Sequence, residues 1–274
     1  MAASAIKKIL VPLDGSDMAD QILPYVTGLA QAIGASVTLF TTPAEGESTE
    51  TAEAHLEAHA SDLRNLGLGV ATESTEGTPS TEIVEAARRY DASLIAMTGH
   101  ATSQGRKDLI GSTAHNVMQK CTTPVLILPL SAADFAMPSA IVIGHDGSEA
   151  AKAALEPAAA LAASLTCELL IVRAVEPVAG LSGAAKYYSA VDDFAEEDLD
   201  ALAAELSKNG CNVTTHVGTR PPDIELVALA DSRPGSIIAV STTSLSSEIG
   251  VLGSTTDRLV RNQSHPVLAV PGRS

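Results

Sequence analysis

The chain is short of positive charge, aromatic rings and cysteine, and each shortage removes a class of function. Its 274 residues carry 17 Lys and Arg against 33 Asp and Glu, a formal net charge of −16. A surface of that sign repels phosphate backbones and anionic lipid, so neither nucleic acid nor a membrane is an expected partner. Aromatics make up 3% and tryptophan is absent, which leaves no stacking platform for bases. Cys121, Cys167 and Cys211 are odd in number and far apart. They read as small core residues in a reducing compartment, not as a disulfide frame or a metal set. No apolar run approaches the roughly 18 residues of a membrane span. The apolar opening Ile9 to Leu13 stops at Asp14, too short for a secretory signal, so the expected location is the cytoplasm. What remains, 45% hydrophobic and 18% charged, builds packed cores and not disorder. At about 150 residues per domain the length accommodates two.

The chain repeats itself. Ile9-Leu10-Val11-Pro12-Leu13-Asp14-Gly15-Ser16 returns as Ile141-Val142-Ile143-Gly144-His145-Asp146-Gly147-Ser148, an offset of 132. Leu94 to Met97 returns as Ile237 to Val240, Gly111-Ser112-Thr113 as Gly253-Ser254-Thr255, and Thr123-Pro124-Val125-Leu126 as His265-Pro266-Val267-Leu268, at offsets of 142 or 143. The second copy therefore holds about ten extra residues, which we place in a long loop at Val178 to Asp192. The expected division is 1–133 and 139–274, with 134–138 as linker.

Each copy alternates β-rich runs with helical patterns. In the first, strands are predicted at 8–13, 36–41, 70–75, 93–97 and 125–129, and helices at 16–33, 51–66, 79–90 and 112–120. Ile22, Val26, Leu29, Ala30 and Ile33 make one apolar face of the first helix. Ser16 caps it, Gly34 ends it, and Pro24 inside it implies a kink or a late start. The second copy matches, with Ser148 as cap and Pro157 as interior proline. The acidic run from Asp192 to Asp200 reads as a solvated helix face near the helix N-terminus. Alternating β and α with apolar strands means parallel, buried sheets covered by helices. The fold class is α/β, two tandem open five-stranded parallel sandwiches. Their last strands, Val125 to Leu130 and Val267 to Val270, are apolar edges that are expected to pair with each other as an internal pseudo-dimer.

Open parallel sheets bind ligands at the carboxyl ends of their strands. Asp14 or Asp146, the turn after strand four, and Gly-Ser-Thr at the start of the last helix all arrive there. Free N–H groups at that helix start favour an anion such as phosphate. Taken singly, Asp-Gly-Ser and Gly-Ser-Thr are also ordinary turn and capping chemistry; their repetition in both copies supports a ligand site. Other patterns are weaker. No Gly-x4-Gly-Lys-(Ser/Thr) or Gly-x-Gly-x-x-Gly is present. His55 and His59 stand at i, i+4 on a predicted helix, but no third ligand is evident, so no metal site is assigned. His145-Asp146 has no nucleophile beside it in sequence.

The Ile-Leu-Val-Pro-Leu-Asp-Gly-Ser opening, the strand-four turn, and Gly-Ser-Thr followed by a helix and Thr-Pro-Val-Leu-Ile-Leu resemble the universal stress protein family, over nearly the whole chain as two tandem copies. The resemblance implies a Rossmann-like fold of the nucleotide-binding alpha hydrolase type. It further implies ATP with Mg²⁺ as ligand, held by a Gly-x2-Gly-x9-Gly-(Ser/Thr) loop. On that pattern copy one reads Thr98-x2-Ala101-x9-Gly111-Ser112, with Thr113 following and His100, Arg106 and Lys107 nearby as phosphate partners. Copy two reads Val240-x2-Thr243-x9-Gly253-Ser254, or Ser241-x2-Ser244-x8-Gly253-Ser254, with Thr255 following and no basic residue in the loop. By the same resemblance Asp14 and Asp146 lie near the ribose and any metal. Thr41-Thr42 and Ala174-Val175 face adenine. A Cβ in place of the first two glycines restricts backbone approach to phosphate.

Three readings follow. The first is a regulatory or protective binding protein of the stress response, with adenine nucleotide best placed at Asp14, Gly111 and Ser112, and not an enzyme. The second is a scaffold without nucleotide, with a protein partner. A weak nucleotide hydrolase ranks last, because no residue places a catalytic base or water. A homodimer of the whole chain is compatible with all three.

Overall fold

The computed structural model describes residues 6–44, 46, 48–99, 110–129, 137–175, 184–208, 210–242, 252–262 and 264–272, with backbone alone for 184–194. The first half runs β1 (Lys8–Pro12), α1 (Asp17–Asp20), α2 (Leu23–Ile33), β2 (Ser36–Thr41), α3 (Thr49–Asn65), β3 (Val70–Ser74), α4 (Pro79–Arg89), β4 (Leu94–Thr98), α5 (Ser112–Lys120) and β5 (Val125–Leu128). The second runs β6 (Ala140–Gly144), α6 (Glu149–Leu165), β7 (Glu168–Ala174), α7 (Ala184–Ser207), β8 (Asn212–Gly218), α8 (Pro222–Asp231), β9 (Ile237–Ser241), α9 (Ser254–Asn262) and β10 (Val267–Val270).

All ten strands join one sheet in the order β3-β2-β1-β4-β5-β10-β9-β6-β7-β8. Pairing is parallel within each half, and the halves meet where β10 runs antiparallel to β5, with Leu268 opposite Leu126. In each half the order reverses direction between the first and fourth strands, so a crevice opens at their carboxyl ends. Strand residues alternate between two cores. Ile9 and Val11 face one with α2, α3 and α6; Leu10 faces the other with α4, α5, α8 and α9. Both cores run through both halves, and both faces of the sheet are covered, which is why the strands are apolar throughout. No helix among the described residues is long and apolar enough to cross a membrane.

The interruption that Pro24 implies is present, and one other element differs from expectation. The first helix is broken: α1 ends at Asp20 and α2 restarts at Leu23, with Pro24 in its first turn. Proline lacks an N–H, and the first turn is where none is needed. Pro157, in contrast, sits inside an unbroken α6. The segment from Ala184 onward, expected as loop, is already α7. It contains no Gly or Pro, and its Ala and Lys residues favour helix. Because α7 starts there, Asp192 to Asp200 lie in mid-helix and not at the positive end of its dipole. Residues 178–183 lie outside the described residues.

Candidate functional site

Asp14 lies just past β1, where Gly15 takes a left-handed φ of 75°. Its Oδ1 accepts from the Ser16 N–H at 3.1 Å and the Ser16 hydroxyl at 2.5 Å. The Ser16 Oγ in turn accepts from the Ala19 N–H at 3.2 Å and caps α1, as the sequence predicts. The turn thus leaves Asp14 Oδ2 clear of this network. Across the crevice, Gly111 is the N-cap of α5 in extended conformation, and no side chain caps the helix. The Gly111 N–H is tied to the Gly99 carbonyl at 3.0 Å. The N–H groups of the first α5 turn are left without intrahelical acceptors.

These parts enclose a cavity of about 430 Å³. Asp14, Thr42, Thr98, Gly111, Ser112 and Thr113 all line it, so the structure brings these predicted residues together. His100, Ala101, Arg106 and Lys107 lie outside the described residues. Asp14 is the one charged lining residue among the described residues. The Thr42 Oγ1 is buried and finds no hydrogen-bond partner, a cost unless something in the cavity supplies one. Phe40, Pro43, Ile83 and Met97 also line the wall and were not singled out in the sequence. Phe40 is wholly buried and backs the cavity wall from behind, an aromatic position that the low aromatic content did not suggest. Its place at the carboxyl end of β2, beside Thr41, is the signal that could have found it.

The second half repeats the arrangement in smaller form. Gly147 has φ 84°, Asp146 Oδ1 accepts from the Ser148 N–H at 2.9 Å, and the Ser148 Oγ caps α6 at the Ala151 N–H. Burial works to raise the Asp146 pKa, but hydrogen bonds from Ser148 outweigh it and hold the carboxyl below its ordinary value. The cavity is about 160 Å³ and is lined by Asp146, Ala174, Ser241, Gly253, Ser254 and Thr255. Val175 does not line it, and Thr243 lies outside the described residues. His145 lines it too, buried, with neither ring nitrogen partnered. Burial pushes its pKa down, against the pull of Asp198 and Asp146. Val172, Leu226 and Val240 close the space. Small-molecule sites span about 300–1,000 Å³; the first cavity falls inside that range and the second below it.

Outside the lining of either cavity, His55 and His59 do find a third group. Asp20 of α1 reaches them, which corrects the expectation of an unaccompanied pair.

The model of the universal stress protein family matches residues 5–129 and again residues 137–271. The chain belongs to the universal stress protein family. Two copies of its domain fill this tandem member. Universal stress protein MJ0531 of Methanocaldococcus jannaschii is 30% identical over 138 residues, which cover 44% of this chain and 81% of that one. Among solved structures, a universal stress protein from Archaeoglobus fulgidus superposes with a TM-score of 0.78 at 21% identity, covering 97% of this chain and 98% of that one. A putative universal stress protein from Pseudomonas aeruginosa gives 0.71 at 17% identity, covering 97% and 94%. At these identities the structures share the fold, extending through the whole tandem chain.

Proposed function

We propose that the first half of this universal stress protein binds an adenine nucleotide, ATP with Mg²⁺ foremost, and acts through that binding and not as an enzyme. The observation that carries the reading is the 430 Å³ cavity with an uncapped helix start at one end and an orphaned hydroxyl, Thr42 Oγ1, in its wall. The site's chemistry fits the ligand. First-turn N–H groups at Ser112 and Thr113, with the helix dipole, suit phosphate. Asp14 suits the cation that accompanies it, and Ile83 with Met97, backed by the buried Phe40, offers an apolar wall for the base. Arg106 and Lys107 are assigned to the phosphates.

The test is calorimetric titration of the stripped protein with Mg-ATP, beside the Ser112→Glu variant. Glutamate there puts a negative charge where phosphate would sit. The expected result is binding by the wild type and a loss of roughly tenfold or more in the variant, the scale of one charge–charge contact in a partly desolvated site. Arg106→Ala with Lys107→Ala should weaken binding likewise. Equal affinity in all three chains would remove the assignment.

For the second half we infer a scaffold role without nucleotide, which its 160 Å³ cavity supports. Hydrolase activity stays last among the readings.

A further inference from the structure

We infer that Asp20, His55 and His59 form a binding site for a divalent transition ion of zinc's class, separate from the nucleotide cavity. The inference stands whether or not that cavity binds nucleotide. His55 and His59 are one turn apart on α3, so both rings leave the same face of the helix. Asp20, the last residue of α1, meets them from a segment 35 residues earlier. His55 Nε2 lies 3.3 Å from Asp20 Oδ1, and His59 Nε2 lies 3.1 Å from Asp20 Oδ2. The two rings stand edge to face, centroids 4.7 Å apart and planes at 82°, and the three ligand atoms lie within 4.8 Å of one another.

The two His–Asp separations are close to those a metal shell requires, each to a different oxygen of Asp20, and the third lies within 4.8 Å. With bonds of about 2.0–2.1 Å in a tetrahedral shell, neighbouring ligand atoms stand about 3.3 Å apart. An ion can therefore replace the shared ring protons without moving an element. Two imidazoles and one carboxylate select ions such as Zn²⁺, Co²⁺ or Ni²⁺ over Mg²⁺ and Ca²⁺, which prefer all-oxygen shells. The side chains are 18–33% exposed, so water can complete the coordination and the ion has a route in. The site would belong to the first half alone. At the offset of 132, the position of Asp20 is Lys152, which pairs with Glu149 at 2.8 Å; a cation there repels a metal.

The experiment is titration of the full metal-free chain with Co²⁺, read by visible absorption of the bound ion and by calorimetry. One Co²⁺ per chain, with the intense bands of a low-symmetry shell, is expected, and Zn²⁺ should displace it. His55→Gln, His59→Gln and Asp20→Ala should each weaken binding by roughly tenfold or more, the scale at which even outer partners of a metal act. Asp20→His returns a ligand and should return the bands. The substituted side chains are part-exposed, so the variants are expected to fold, and circular dichroism checks this. Zn²⁺ should raise the thermal midpoint of the wild type and not of the double Gln variant. No Co²⁺ uptake by the wild type would overturn the site and leave ordinary hydrogen bonds. Uptake unchanged in all the variants would overturn it equally.

Discussion

At the scale of single residues, the strongest electrostatic commitment lies outside both cavities. Glu225 is 2% exposed and takes Arg220 Nε on Oε2 at 2.8 Å, Arg220 Nη2 on Oε1 at 2.9 Å and His216 Nε2 on Oε1 at 2.9 Å. The Arg220 bonds hold its carboxyl down at about 2 from 4.5, against the opposing push of burial. A depressed folded pKa adds stability above the unfolded value and loses it as pH falls towards the folded one. The contribution is therefore full above about pH 4.5 and gone near pH 2. Urea unfolding of Glu225→Gln should show about 2 kcal/mol less stability at pH 7, a figure reduced for screening through the half-exposed Arg220. In the variant the slope between pH 4.5 and 2 should shrink; an unchanged slope would assign it to other carboxylates. Gly218 is bound into the same cluster, because a Cβ there would collide with the Glu225 carboxylate. None of this was legible in the sequence. Its partners approach α8 from a strand and a loop, and no short pattern marks such a meeting. The Asp14 and Asp146 turns were legible, since Asp-Gly-Ser dictates its local conformation within three residues. Asp20 was not, because 35 residues separate it from His55.

At the scale of elements, the two copies act as controls for each other. Gly34 ends α2 at φ 67°, and at the offset of 132 the same left-handed position ends α6 as Thr166, φ 54°. A β-branched residue in that region costs about 1–2 kcal/mol, more than the roughly 0.5–1 kcal/mol of freedom a glycine surrenders on folding. Thr166→Gly should therefore raise the unfolding free energy by up to about 1 kcal/mol in urea titration. A fall would mean that the Thr166 side chain makes a compensating contact. The strands and caps of both copies were readable because each rests on neighbours in sequence: apolar runs, Ser16 and Ser148 as caps, Gly34 as a stop. The start of α7 was misread because Gly180 and Gly183 drew a loop boundary too far along the chain. The different cavity sizes were not readable at all. The side chains at matching wall positions do not explain them, since Val172, Leu226 and Val240 of the smaller cavity are no larger than Phe40, Ile83 and Met97 of the larger one.

At the scale of the whole molecule, β5 and β10 decide whether the halves unfold together. Leu126 and Leu268 are opposed in register and wholly buried, and both cores continue across the junction. One cooperative heat transition is expected for the wild type. Leu126→Asp with Leu268→Asp sets two carboxylates face to face in an apolar layer, a loss of about 4 kcal/mol or more. Calorimetry should then resolve two transitions; a single one, merely lowered, would mean that the outer packing alone couples the halves. The antiparallel sense of that junction has one more consequence. Strand polarity inverts across it, so the crevice of Asp14 and the crevice of Asp146 open on opposite rims of the sheet. The protein is a double-ended body, presenting two unequal mouths to two different directions. Occupants of the two mouths cannot touch or compete, and a partner that reads the state of one rim leaves the other free for a second.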